Sequence, residues 1–319
     1  MLLSKAIEGY CVAKLADGFS PSTILGYRVH YKQLVGFVSD KEIRKVTSQD
    51  LRDFMIWLRQ DYLPNRSSGD KSPYHSTTIR NAWCAVRSLF KWAEHELNIG
   101  RPDIDLKMPK VSYPEIVPFT QGEVQALLKA CEQTREVQLG ENRFRMKRPT
   151  SLRDRLLIMV LLDTGLRVSE CANLRVKDVN LDSGEVFIRP MNSVRKNKSR
   201  TLRIGAATRK LAWSYVTKRE QVYPEDPLFL TTENRQMSRD SIRSIFSRLG
   251  QRAGVQHVYP HRFRHTYAIQ FLRNGGDVFS LQQSLGHSDW AMTRHYTNLA
   301  QSDMLAAHRK ASPVDNWRL

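Results

Sequence analysis

Three prolines fall within twelve residues in "MPKVSYPEIVPF" (108–119), and they divide the chain. Proline lacks a backbone N–H and its ring clashes with the preceding turn, so no helix runs through such a segment. Before it, apolar residues recur every three or four positions. After it, a helical stretch gives way to alternation and then returns to helix. A chain of 319 residues is long enough for two bodies with separate cores. The expected layout is a helical domain over 1–107, a linker over 108–119 and a second domain over 120–319, with a tail from about 300.

In the first domain, "FSPSTILGYRVHYKQLVGFV" offers Ser20 as a cap and Pro21 in the first turn. Ile24, Tyr27, Tyr31, Leu34, Val35 and Val38 follow at helical spacing. "TSQDLRDFMIWLRQDYL" repeats the device, with Thr47 as cap and Asp50 three residues on. After a polar loop, "PNRSSGDKSP" (64–73), a third helix carries Trp83, Val86, Phe90 and Ala93 on one stripe. Such stripes are read as bundle core.

The second domain opens on a capping-box pair, Thr120 and Glu123. "GENRFRMKRP" (140–149) reads as a basic loop, and "RDRLLIMVLLDTG" as a buried helix stopped by Gly165. Then "EVFIRP" (185–190) and "SRTLRIG" (199–205) alternate like strands of a hairpin, joined by the cationic "MNSVRKNK". The remainder is helical, broken at "YPEDP" and "RNGGD". The fold class is therefore mainly α, with one small antiparallel β-sheet in a mixed second domain.

Charge narrows the partner. Fifty Lys and Arg against 32 Asp and Glu leave a net of +18, of which residues 1–110 hold +5 and the rest +13. Such a surface attracts a polyanion, and nucleic acid is the usual one. Cys11, Cys84, Cys131 and Cys171 form no C-x-x-C pair, which argues against a zinc ribbon or disulfide framework and for a reducing cytosol. Lys5 and Glu8 interrupt the N-terminal segment, so it is no signal peptide. The longest apolar run, 156–162, is too short to span a bilayer. A cytoplasmic protein with no membrane partner is expected.

The chemistry-bearing residues are scattered. In "HRFRHTYA" (261–268), His261, Arg264 and His265 fall at i, i+3 and i+4 on one helix face. The two histidines have zinc spacing, yet Arg262 and Arg264 stand where a metal site needs carboxylates. A phosphate suits this face better, because an arginine fork offers two parallel donors and a histidine offers one more. His265 is expected to pack, and Arg262 has no assigned role. Arg167, just past Gly165 in "TGLRVSE", either presents its fork to an anion or pairs with Glu170. Lys196 and Lys198 sit at the hairpin tip, where basic residues are often just solvated. In "LGHSDWAMTRHYTN", His287 and Tyr296 lie nine residues apart across a break at Gly286. A tyrosine phenol is a poor nucleophile until nearby cations lower the cost of ionising it.

In this order and spacing, "DTGLRVSE", the basic hairpin, "HRFRHTYA" and "LGHSDWAMTRHYT" resemble the tyrosine recombinase (integrase) family. The resemblance extends from about Thr120 to about Asn298, and the N-terminal helices look like that family's core-binding domain. It implies a two-domain clamp on double-stranded DNA. The enzyme would be a site-specific recombinase, cleaving and rejoining strands through a 3′-phosphotyrosyl intermediate and a Holliday junction.

Carried over, Tyr296 is the nucleophile, Arg167 and Arg264 clamp the phosphate, and Glu170 orients the clamp. His261 serves as acid–base or orienting group, and His287 as a further phosphate donor. A hairpin lysine protonates the leaving 5′-oxygen. Lys196 is preferred and Lys198 is the alternative: the usual spacing, five residues before Arg200, lands on Arg195, a poor proton donor.

The resemblance also implies a tetramer on two duplexes, with accessory DNA-bending proteins as further partners and nucleoid association through DNA. The tail after Tyr296 either docks on a neighbouring subunit or folds back. A simple recombinase, without a further arm-binding domain before residue 1, is the expectation. No Walker loop or two-metal carboxylate cluster stands out, so no cofactor and no metal are expected. The competing readings are a type IB topoisomerase, a longer hairpin-forming telomere resolvase, and a non-catalytic DNA-binding protein of the same fold.

Overall fold

The computed structural model describes residues 1–66, 69–112, 115–132, 148–190, 199–286, 296 and 312, with the backbone of 137–139 and 142–144. The chain forms two compact units, Met1–Glu115 and Ile116–Leu319.

The first unit holds α1 (Leu3–Ala16), α2 (Pro21–Val38), α3 (Ser48–Gln60) and α4 (Ser76–Leu97). Ser20 accepts the Thr23 N–H and Pro21 occupies the first turn of α2, while Thr47 and Asp50 close a capping box on α3. The stripes read from the sequence are this unit's core. Leu34, Phe54, Leu58, Val86, Phe90 and Ala93 are all fully buried. Tyr31 of α2 is buried with them, and its hydroxyl donates to the Ala85 carbonyl at 2.9 Å. Trp83 is only half-buried, and its indole N–H donates to the Leu106 carbonyl at 2.8 Å.

The second unit begins with α5 (Gln121–Ala130), on the Thr120–Glu123 capping box. A short antiparallel pair follows, β1 (Val137–Leu139) against β2 (Asn142–Phe144). This corrects the reading of 140–149 as a plain loop and adds a second small sheet. Three-residue strands are too short to show a period of two, which is why the sequence conceals them.

Next come α6 (Ser151–Thr164), α7 (Val168–Ala172), and the hairpin strands β3 (Glu185–Ile188) and β4 (Arg200–Arg203). These two pair antiparallel, Glu185 opposite Arg203 and Ile188 opposite Arg200. Then α8 (Ala206–Val216), α9 (Arg239–Ala253), α10 (Pro260–Arg273) and α11 (Val278–Leu285) complete the described α-helices. Among the described residues, no helix is long and apolar enough to cross a membrane.

Helix α6 organises this unit. Leu156, Leu157, Ile158 and Leu161 are all at 0% exposure, and such side chains contribute about 2 kcal/mol each. α6 packs against both α8 and α10, so its faces are covered on more than one side. It ends at Gly165, where φ is +60° and a Cβ would stand 2.3 Å from Tyr267 of α10. Only glycine fits both the left-handed turn and that close approach.

Arg262 closes the start of the unit. Its guanidinium lies 4.0 Å over the Phe119 ring and donates to both Glu123 carboxylate oxygens. It donates as well to the Val117 carbonyl at 3.1 Å, and the Phe119 N–H reaches Thr266 at 2.8 Å. The residue that had no role from sequence thus straps the segment before α5 to α10.

Candidate active site

Three chain breaks meet around one spot: the end of α6 at Gly165, the start of α10, and the end of α11 at Gly286. Each brings one part of the candidate site.

Arg167 caps α7 just after the Gly165 turn. Its backbone N–H donates to Glu170 Oε2 at 2.9 Å, and its Nη1 to Oε1 at 3.1 Å. Its Nη2 reaches the Gly286 carbonyl at 3.2 Å. The side chain stays 33% exposed, so its fork remains accessible to a ligand. Pairing with Glu170 and presentation to an anion, posed as alternatives from the sequence, are both compatible with this geometry.

Arg264 is 1% exposed, and its two terminal nitrogens donate to the Gly165 and Leu285 carbonyls, each at 2.8 Å. Burial, and then the Arg167 charge beside it, push this guanidinium down to about 10. A buried cation next to a second cation is costly unless an anion joins them.

Glu170 is the anion the fold itself supplies. Burial raises its carboxyl, but hydrogen bonds and charge from Arg200, with help from Arg167, bring it below its ordinary value. Arg200 projects from β4 and was not read as a site residue from the sequence. It holds Glu170 through both terminal nitrogens and the Ser284 carbonyl through Nε at 2.8 Å. No local signal marks it, since its partners lie 30 and 84 residues away. Arg167 and Arg200 both bond this carboxylate, and Arg264 feels its charge from nearby, so three arginines stand against one carboxylate and the site has surplus positive charge.

His261, in the first turn of α10, keeps an exposed face. Crowding of its ring, then the charges of Arg264 and Arg167, hold its imidazole below the ordinary value. His265 lies one turn on, with the two rings edge to face at 4.5 Å. It does more than pack: its Nδ1 is 2.8 Å from the Tyr296 hydroxyl. The hydrogen bond adds to the expected packing, and the sequence does not show it because a helix face does not reveal what stands across from it.

Tyr296 is 4% exposed. Burial pushes its phenol up, and the Arg264 charge opposes that rise. The structure thus brings Arg167, Glu170, Arg264, His261 and Tyr296 to one locus. Lys196, Lys198, His287 and the tail after Tyr296, Ser312 excepted, lie outside the described residues. Among the described residues, no three His, Cys, Asp or Glu gather as a metal site.

The pattern of the phage integrase family matches residues 118–303, and that of the phage integrase N-terminal SAM-like domain matches residues 13–97. Tyrosine recombinase XerC of Oceanobacillus iheyensis is 29% identical over 308 residues, covering 93% of this chain and 92% of its own. Tyrosine recombinase XerA of Saccharolobus solfataricus is 30% identical over 301 residues, covering 94% and 90%. The Tn1549 transposon integrase, solved in complex with transposon right end DNA, shares the fold at a TM-score of 0.73. That match has 18% identity and covers 97% of this chain and 99% of the other. Sequence pattern, full-length relatives and fold agree: the chain belongs to the phage integrase family, the tyrosine recombinases.

Proposed function

We propose that this enzyme is a site-specific recombinase that acts on double-stranded DNA, with Tyr296 as the nucleophile. The observation that carries this reading is the meeting of Tyr296 with a surplus of arginine around Gly165 and Gly286. A scissile phosphate is the anion that such a site lacks. Arg167 and Arg264 take its non-bridging oxygens and stabilise charge on the pentavalent transition state. Glu170 orients Arg167. His261, its imidazole held below its ordinary value, donates to or accepts from the reacting oxygens, and His287 adds a further donor.

Attack by Tyr296 on phosphorus forms the 3′-phosphotyrosyl bond and expels the 5′-oxygen. Lys196, or alternatively Lys198, protonates that oxygen. A 5′-hydroxyl from a partner duplex then reverses the step. The linkage retains the phosphodiester bond energy, and four copies on two duplexes allow strands to exchange in pairs. The net charge of +18 supplies the sequence-independent part of DNA binding and makes it strongly salt-dependent. The two units act as a core-binding and a catalytic domain, and the enzyme works at the nucleoid, with DNA-bending proteins as further partners.

The test uses nicked duplex fragments cut from the source genome, in which cleavage releases a short strand and traps the enzyme. A detergent-stable adduct is expected from the wild type and none from Tyr296→Phe. No adduct with any fragment, as a non-catalytic DNA-binding protein would give, or an adduct that survives Tyr296→Phe, would overturn the assignment. Sequencing the trapped DNA yields the site. A 5′-bridging phosphorothiolate, with its better leaving group, should rescue whichever of Lys196→Ala and Lys198→Ala removes the acid.

A further inference from the structure

Helix α10 carries two histidines one turn apart, and the second is hydrogen-bonded to the tyrosine. His265 Nδ1 stands 2.8 Å from Tyr296 Oη, with ring centroids 5.6 Å apart. His265 is half-buried and Tyr296 nearly fully so, which limits competition from water for the phenol proton. We infer that His265 is the general base for Tyr296, a catalytic residue beyond the arginines, His261, His287 and hairpin lysine assigned above. The inference rests on Tyr296 being the nucleophile.

The chemistry requires such a group. A phenol titrates near 10, and burial moves Tyr296 further up, so at neutral pH its oxygen carries a proton. That proton must leave as the bond to phosphorus forms. An imidazole nitrogen is a suitable acceptor for that proton, and 2.8 Å is within direct transfer distance.

With the ring proton on Nε2, Nδ1 takes the phenol proton while Oη bonds to phosphorus. The P–O5′ bond breaks, and the electron pair leaves on O5′, which is protonated by the hairpin lysine. In rejoining, the incoming 5′-hydroxyl gives its proton to that lysine. The tyrosine leaves phosphorus and recovers its own from the His265 imidazolium. Each group ends as it began.

The charged and titratable groups around the pair come from several elements. His261 and Arg264 share α10, Arg167 and Glu170 come from α7 and its cap, and Arg200 from β4. The Arg264 charge favours the developing phenolate and, like any nearby cation, disfavours an imidazolium. The bound phosphodiester offsets the second effect, so proton transfer is favoured when DNA is in place.

Two measurements on the full chain test this. In wild type labelled with ¹⁵N-histidine, the His265 signals, assigned by their loss in His265→Asn, should show an unprotonated Nδ1 above the residue's own titration. A proton on Nδ1 there would overturn the base role without recourse to any activity measurement. Single-turnover adduct formation is then followed against pH on the trapped nicked duplex. The wild-type rate should climb from acid to a plateau. His265→Asn places an amide oxygen where Nδ1 was but cannot carry the proton. It should bind the duplex normally, react about 10²- to 10⁴-fold more slowly, and lose the acid limb. A wild-type rate with the acid limb intact would leave His265 merely structural. Tyr296→Phe separates the two readings: an adduct surviving it removes the nucleophile, whereas a silent Tyr296→Phe beside an unchanged His265→Asn removes only the base.

Discussion

Arg200 and Glu170 meet fork to fork, Nη1 to Oε1 at 3.0 Å and Nη2 to Oε2 at 2.9 Å, although 30 residues separate them. Through this pair, the strand that leaves the basic hairpin is fixed to the carboxylate that also holds Arg167. Since Arg200 Nε reaches the Ser284 carbonyl too, one guanidinium joins β4, α7 and α11. Any displacement of the hairpin base is thereby felt at Arg167.

Removing the carboxylate should be costly. Glu170 is buried and Arg200 largely so, with side chains 2% and 11% exposed. Glu170→Ala leaves Arg200 and Arg167 without their anion, and breaking such a pair costs about 3–5 kcal/mol. Urea denaturation measures it. A loss below about 1 kcal/mol would mean that the pair behaves like an exposed one.

Arg264→Lys should separate binding from chemistry. A lysine cannot hold the Gly165 and Leu285 carbonyls in the fixed fork geometry of a guanidinium. Adduct formation should fall about 10²- to 10³-fold, the usual cost of one lost transition-state donor, while duplex affinity stays near wild type. Filter binding and single-turnover cleavage on the same duplex check this. Equal losses in both would place Arg264 in ground-state binding.

Gly165→Ala introduces a Cβ at φ +60°, 2.3 Å from Tyr267 Cδ1. The backbone penalty and the overlap together predict a loss of about 2–5 kcal/mol. Combining it with Tyr267→Ala should recover the overlap part and leave the backbone part, a coupling that a double-mutant cycle reads. Strict additivity would count against the contact.

Two titrations report the site's charge. Glu170 lies below its ordinary 4.5 in the folded chain, so its stabilisation is fully present above 4.5 and is lost as pH falls through the folded value. That acid loss should shrink in Glu170→Gln. His261 lies below its ordinary 6.5, so it favours the fold above 6.5 and opposes it as pH drops below. Its NMR midpoint should sit under 6.5 and move part of the way back in Arg167→Ala, because crowding remains when the charge is removed.

Much of this was legible in the sequence because it is local. Ser20, Thr47 and Thr120 cap helices through atoms three residues away, and the stripes on α2, α3 and α4 became core because a period near 3.6 puts them on one face. The one-turn spacing of His261 and Arg264, and the Gly165 stop before Arg167, follow from the same geometry.

What the tertiary structure decided is which distant groups complete those faces. Periodicity shows that His265 lies on a helix face, but not that a tyrosine 31 residues later lies opposite. It does not show that Arg262 meets Phe119 and Glu123, or that Arg200 takes the other side of Glu170. The sequence by itself determined two cores, their helices and the residue types of the candidate site. The partners of His265, Arg262 and Arg200 depended on how α10, α11 and β4 close around α6, because long-range contacts follow from packing and leave no period in the chain.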